Sequence, residues 1–160
     1  MIGKTISHFC VLERLASGGM GVVYKARDEK LERNVALKFV AEPLSKDPVA
    51  IGRFLREARA VSALNHPNVC TIYEVDEFEG AYFIALEFLD GESLEQYIPH
   101  QNLEIAEILD IGIQIADGLA AAHAKGVIHR DIKPSNIFVT TGDIVKILDF
   151  GLSKLTAATE

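Results

Sequence analysis

The spacing of apolar positions changes several times along the chain, and each change marks an element. Residues 9–26 carry two apolar runs, Val11, Leu12 and Leu15 and then Val22, Val23 and Tyr24, on either side of Ser17-Gly18-Gly19-Met20-Gly21. That pattern predicts strand, glycine-rich turn, strand. Residues 34–40 read as a strand with Lys38 embedded among apolar neighbours. Pro43 to Pro48 reads as a loop. Over 49–64, Phe54, Leu55, Ala58, Val61 and Leu64 recur on or near one helical face, with Glu57 close to it. Asn65-His66-Pro67-Asn68 breaks that helix. Residues 69–75 and 81–88 predict two antiparallel strands, the second nearly all apolar as in a buried strand. Asp90-Gly91 makes a turn, and Glu92 or Ser93 caps a short helix ending near Pro99. Residues 103–125 form the longest helix, apolar almost all round as in a helix covered on most sides, with Gly126 as its C′ residue. Residues 137–139 and 144–148 predict a hairpin.

Composition narrows the class. The chain has 160 residues, 49% of them hydrophobic, enough for a core in one domain or two small lobes. A net charge of −7 argues against a nucleic-acid binder, which needs a basic face. Cys10 and Cys70 make neither a disulfide framework nor a zinc site and read as buried thiols of a reducing compartment. No apolar run approaches the ~18 residues of a membrane span, and the N-terminus lacks a signal-peptide core. A cytoplasmic protein is the expectation.

The chemistry concentrates in residues 127–138, Val-Ile-His-Arg-Asp-Ile-Lys-Pro-Ser-Asn-Ile-Phe. One apolar pair enters this stretch and another leaves it, as in a loop held between two small strands. Asp131 has the chemistry to take a proton from a hydroxyl, Lys133 to hold a phosphate oxygen, and Asn136 to offer a carbonyl oxygen to a hard cation. Singly, each has a plainer reading. Asp, Pro, Ser and Asn are ordinary turn formers, a glycine-rich hairpin is often only a turn, a lone strand lysine points to solvent, and a helix glutamate is usually solvated.

The order His129-Arg130-Asp131-Ile132-Lys133-Pro134-Ser135-Asn136 resembles the catalytic loop of protein kinases, and Lys133 resembles the serine/threonine branch. The resemblance extends in family order. Ala16, Ser17, Gly18, Gly19 and Gly21 resemble the glycine-rich loop, with Ala16 standing where the pattern has its first glycine. Val35-Ala36-Leu37-Lys38 resembles the segment whose lysine holds the α- and β-phosphates. The resemblance implies that Glu57 pairs with Lys38 and that Val23 and Ala36 roof an adenine ring. It likewise implies Leu86 as gatekeeper, with the backbone of Glu87 and Leu89 bonding adenine. Asp149-Phe150-Gly151 resembles the metal-binding motif, Asp149 chelating magnesium with Asn136, and Phe150 packing with His129 beneath the helix of Glu57.

The resemblance runs over about residues 9–155 and implies an α+β, protein-kinase-like fold: a complete β-rich N-lobe, 1–88, and the first part of a helical C-lobe, 89–160. It implies ATP and Mg2+ as cofactors and phosphoryl transfer to Ser or Thr of protein substrates. A domain of this class has ~250 residues, so ~100 more are expected past Glu160, with the activation segment that would pair with Arg130. Without them the apolar surface of 103–125 needs the remaining C-lobe or a partner. The alternative is a fragment that binds nucleotide or a partner without catalysis. Lys133 argues against a small-molecule kinase.

Overall fold

The computed structural model describes residues 1–18, 21–40 and 47–150. The predicted loop between Pro43 and Pro48 lies mostly outside them, as do Gly19 and Gly151. Among the described residues one compact unit gathers those up to Ala58 together with Ile72–Phe88. The other gathers Arg59–Thr71 and the residues from Leu89 onward.

The first unit is a curled antiparallel sheet. Its strands are β1 (Thr5–Ile6), β2 (Phe9–Gly18), β3 (Gly21–Asp28), β4 (Arg33–Val40), β5 (Ile72–Phe78) and β6 (Ala81–Glu87), in the order β1-β2-β3-β4-β6-β5. Alternation sorts β4: Val35, Leu37 and Phe39 are buried, and Ala36 and Lys38 take the opposite face. The buried set joins Ile6, Phe9, Val11, Ala26, Phe83 and Ala85 in one core. Phe83 meets Phe9 edge-on at 6.2 Å and Phe39 at 5.4 Å between ring centroids. At the end of β3, Asp28 is buried and accepts from the backbone of Lys30 and Leu31, both at 3.0 Å, which folds the turn into β4. His8 lies 3.7 Å from Asp28 and 3.6 Å from Glu74 of β5, so one side chain ties the N-terminal hairpin to the far strand. Helix α1 (Pro48–Ser62) buries Ile51, Phe54, Ala58 and Val61.

In the second unit, β7 (Gly91–Ser93), β8 (Ile137–Thr140) and β9 (Val145–Ile147) form a three-stranded sheet in that order. Gly91 sits at φ +150°, where a Cβ would lie 2.1 Å from the carbonyl oxygen of Val139; only glycine lets β7 pair with β8. Ser93 caps helix α2 (Leu94–His100) in a capping box with Gln96. Helix α3 (Ile105–Ala124) ends in a Schellman motif. Gly126, at φ +74°, donates to His123, and Val127 donates to Ala122.

Four expectations change. Residues 69–71 are not in β5: the Val69 amide donates back to His66, and the Asn68 oxygen and Cys70 amide on either side of it bond Ile147 of β9. Val127 and Ile128 form no strand, since the Val127 amide closes the helix end; only the pair leaving the loop, Ile137 and Phe138, is β. Helix α3 is not covered on most sides. It buries Gly118 and Ala122, whereas Ile105 is 77% exposed, Leu109 and Ile113 60% and Ile108 53%. Cys10 is half-buried, and of the two thiols only Cys70 is buried.

Candidate active site

The first unit carries the candidate nucleotide-binding residues on one sheet face. Directly paired residues in an antiparallel ladder point to the same side. Ala16 pairs with Val23, Val23 with Lys38, and Ala36 with Leu86. Sheet register alone therefore gathers Ala16, Val23, Ala36, Lys38 and Leu86 on the face opposite the Phe9–Phe83 core. Lys38 and Glu57 are both half-buried. Ala16 is in extended strand and absent from the left-handed residues of the chain, so its methyl replaces a glycine hydrogen without backbone strain. Gly21, at φ +122°, is a position where the backbone does require glycine. Ser17 and Gly18 close β2, pairing with Val22 and Gly21. Glu87 ends β6 opposite Val35.

The second unit carries the loop that begins at His129. That histidine is 1% exposed and its ring makes two hydrogen bonds. The amide of Asp131 donates to Nδ1 at 3.2 Å, and Nε2 lies 2.7 Å from the carbonyl oxygen of Leu148. An amide only donates and a carbonyl only accepts, so Nδ1 is bare and Nε2 carries the proton. One ring thereby spaces Asp131 from the residue preceding Asp149. The ring also packs on Phe150 at 4.7 Å between centroids.

Pro134–Asn136 is a single 3-10 turn that turns Asn136 back under Asp131. Asn136 is 2% exposed, and its Nδ2 donates to the backbone oxygen of Asp131 at 2.9 Å and to Oδ2 at 3.2 Å. Lys133 extends from the same loop to place Nζ 2.9 Å from Asp131 Oδ2. The backbone oxygen of Asn136 accepts from Leu148 at 2.8 Å. Both backbone polar groups of Leu148 are therefore held, one by Asn136 and one by His129, immediately before Asp149. Arg130 and Asp149 adopt left-handed backbone, at φ 69° and 57°. Such angles cost a non-glycine residue of order 1 kcal/mol and persist where the surroundings impose them, most often at sites.

These donors fit a magnesium ion. With Nδ2 committed to Asp131, Asn136 has Oδ1 to offer, and Asp149 offers a carboxylate. Mg2+ prefers hard oxygens and takes only one or two protein ligands beside phosphate and water. No cluster of three or more His, Cys, Asp or Glu side chains suited to a metal occurs among the described residues.

Sequence reasoning brought out Asp131, Lys133, Asn136 and Asp149, and the structure links all four through one loop and one hairpin. It gave His129 only a packing role and passed over Asn68 and Gln114, whose side-chain amides bond β9. A glutamine set between Ile113 and Ile115 in the apolar run of α3 is the signal that was available.

The protein kinase domain model matches residues 9–160. A probable serine/threonine-protein kinase PknB of Lactococcus lactis is 40% identical over 99% of this chain and 26% of its own length. The serine/threonine-protein kinase PrkC of Bacillus subtilis is 38% identical over 99% of this chain and 25% of its own. The chain thus spans about a quarter of the length of these curated relatives. The crystal structure of the Mycobacterium tuberculosis PknI kinase domain superposes with a TM-score of 0.85 at 30% identity, covering 95% of this chain and 63% of that one. The curled antiparallel sheet and the helices that follow are the protein kinase fold, and the chain belongs to the protein kinase domain family.

Proposed function

We propose that this chain is the nucleotide-binding and catalytic-loop portion of a serine/threonine protein kinase, which transfers the γ-phosphoryl group of ATP to a hydroxyl of a protein substrate. The observation that carries the reading is the constellation of Asp131, Lys133 and Asn136, locked to one another at 2.9–3.2 Å. A plain turn has no need of a buried asparagine holding a half-exposed aspartate against a lysine.

Phosphoryl transfer asks for positioning and charge neutralisation more than covalent work. Lys38, directed by Glu57, orients the α- and β-phosphates from the face that Val23, Ala36 and Leu86 share. The loop of Ala16, Ser17, Gly18, Gly19 and Gly21 covers the phosphates with backbone amides. The main-chain groups of Glu87 and Leu89 bond adenine. Asn136 and Asp149 would hold magnesium, which would supply charge neutralisation on the phosphate oxygens. Lys133 offsets charge on the γ-phosphate. Asp131, held by Asn136, orients the substrate hydroxyl and accepts its proton. A kinase that takes its phosphoryl group from ATP is expected to work in the cytoplasm; no described helix is long and apolar enough to cross a membrane.

A second reading, partner binding without transfer, is favoured by the stripe Ile105, Ile108, Leu109 and Ile113 on α3. An exposed row of this kind is a contact surface, for the rest of a kinase lobe or for another protein. Titration of Mg-ATP into the purified protein and its Lys38→Ala variant separates the two. The kinase reading expects magnesium-dependent binding that weakens at least about tenfold in the variant, the loss of one charge-assisted contact. Absence of binding by both would leave only the partner-binding reading.

A further inference from the structure

The strand that delivers Asp149 is an edge strand, yet its outer polar groups are filled. β8 pairs with the inner side of β9. On the outer side, Val145 N donates to Oε1 of Gln114 at 2.8 Å, and the oxygen of Val145 accepts from Nδ2 of Asn68 at 2.9 Å. Ile147 N donates to the oxygen of Asn68 at 2.9 Å, and its own oxygen accepts from Cys70 N at 3.0 Å. Two side-chain amides and a short extended segment thus replace a missing neighbour strand.

Gln114 is the member that ties this edge to α3. Its Oε1 also accepts from Asn68 Nδ2 at 3.0 Å, and its Nε2 donates to Asp110 Oδ2 at 2.8 Å and to the oxygen of Asp143 at 3.1 Å. All four hydrogen-bonding positions of the amide are used, and a flipped amide would lose the bonds to Val145 N and Asp143 O together. One turn on, Gly118 leaves room for Ile147 and Asn68: a Cβ there would lie 2.8 Å from Ile147 Cδ1 and 2.9 Å from the oxygen of Asn68. The same helix face therefore grips β9 at both ends.

We propose that Gln114 is a positioning residue for Asp149. By fixing the hairpin turn at Asp143 and the first residue of β9, it sets the height at which Asp149 emerges beside Asn136, and so the affinity of the site for magnesium. The inference rests on the kinase reading of that site.

The test compares Gln114→Leu with Ala120→Gly, an exposed change in the same helix that weakens α3 by propensity alone without touching β9. In each purified protein the Mg2+ concentration that half-maximally tightens ATP binding is measured beside Tm. Gln114→Leu removes all four of these bonds and is expected to raise that concentration about tenfold, as when the net worth of one to two of them is felt at the metal site, with ATP affinity in EDTA within about twofold of wild type. Ala120→Gly is expected to lower Tm without moving the magnesium midpoint. Equal midpoints in all three proteins, or equal shifts in both variants, overturn the inference. Amide exchange in the metal-free protein separates this failure from that of the functional reading. Protection of Leu148 is expected to fall in Gln114→Leu alone, and unchanged protection overturns the inference. A wild type whose ATP binding ignores magnesium overturns the kinase reading instead.

Discussion

Asn136 holds Asp131 twice, by the backbone oxygen at 2.9 Å and by the carboxylate at 3.2 Å, from a position 2% exposed to solvent. Two bonds from one amide fix both where the aspartate sits and where its carboxylate points. The same residue takes the amide of Leu148 on its backbone oxygen, so the loop and the strand before Asp149 share one anchor.

Replacing Asn136 with Ala removes both bonds to Asp131 and the amide oxygen offered to magnesium. Stability is expected to fall by about 1–3 kcal/mol, the cost of breaking a buried hydrogen-bonded set. Phosphoryl transfer is expected to fall by about 10²-fold or more, on the scale of losing a preorganised polar group in a catalytic site. Urea unfolding and a transfer assay in the complete kinase measure the two separately.

His129→Phe keeps the ring and its packing on Phe150 but strands the amide of Asp131 and the oxygen of Leu148. A destabilisation of about 1–3 kcal/mol is expected for two part-buried backbone groups that lose these bonds. Denaturant titration checks it, and a cost under about 0.5 kcal/mol would show the ring to be a packing residue alone.

Gly118→Ala sets two effects against each other. Alanine gains about 1 kcal/mol of helix propensity over glycine. The new methyl meets Ile147 Cδ1 at 2.8 Å and the backbone oxygen of Asn68 at 2.9 Å, and backbone does not yield cheaply. Overpacking of this kind costs about 1–3 kcal/mol, so a net loss is expected at this position despite the better helix former. Gly112→Ala, with nothing within 4 Å of the added Cβ, is expected to gain stability in the same helix.

Asp28 supplies the pH dependence. Burial alone would raise its carboxyl, but hydrogen bonds from the backbone of Leu31 and Lys30, with the charges of His8 and Arg33, outweigh burial and hold it below the ordinary value of 3.8. A carboxyl depressed in the folded state stabilises the fold above its unfolded value and loses that contribution as pH falls through the folded one. Stability is therefore expected to decline below about pH 4, and Asp28→Asn to flatten that decline. Thermal melts of both proteins between acid and neutral pH measure it.

The fold was legible where local pattern and tertiary fate agree. Alternation in β4 put Lys38 opposite Val35, Leu37 and Phe39, and the glycine at 126 ended α3 as its position suggested. The candidate catalytic loop could be singled out because Asp131, Lys133 and Asn136 fall within eight consecutive residues, His129 to Asn136. What could not be read depends on long-range partners. Val69 and Cys70 have strand composition but lie against β9, where the Cys70 amide donates to Ile147 across more than 70 residues of chain, and Asn68 and Gln114 acquire a role only when that edge is built. The apolar circumference of α3 looked like burial because periodicity reports hydrophobicity, not what is present to cover it.

The most direct test of the central claim is Asp131→Asn, assayed in the complete kinase for phosphate transfer to protein Ser or Thr and for Mg-ATP affinity. The substitution keeps the shape of the side chain and removes its capacity to accept a proton. Transfer is expected to fall by about 10²–10⁴-fold, the range of general base catalysis, with Mg-ATP affinity within about twofold of wild type. Transfer at the wild-type rate would contradict the assignment of Asp131 as the catalytic base, and with it the mechanism built on this loop.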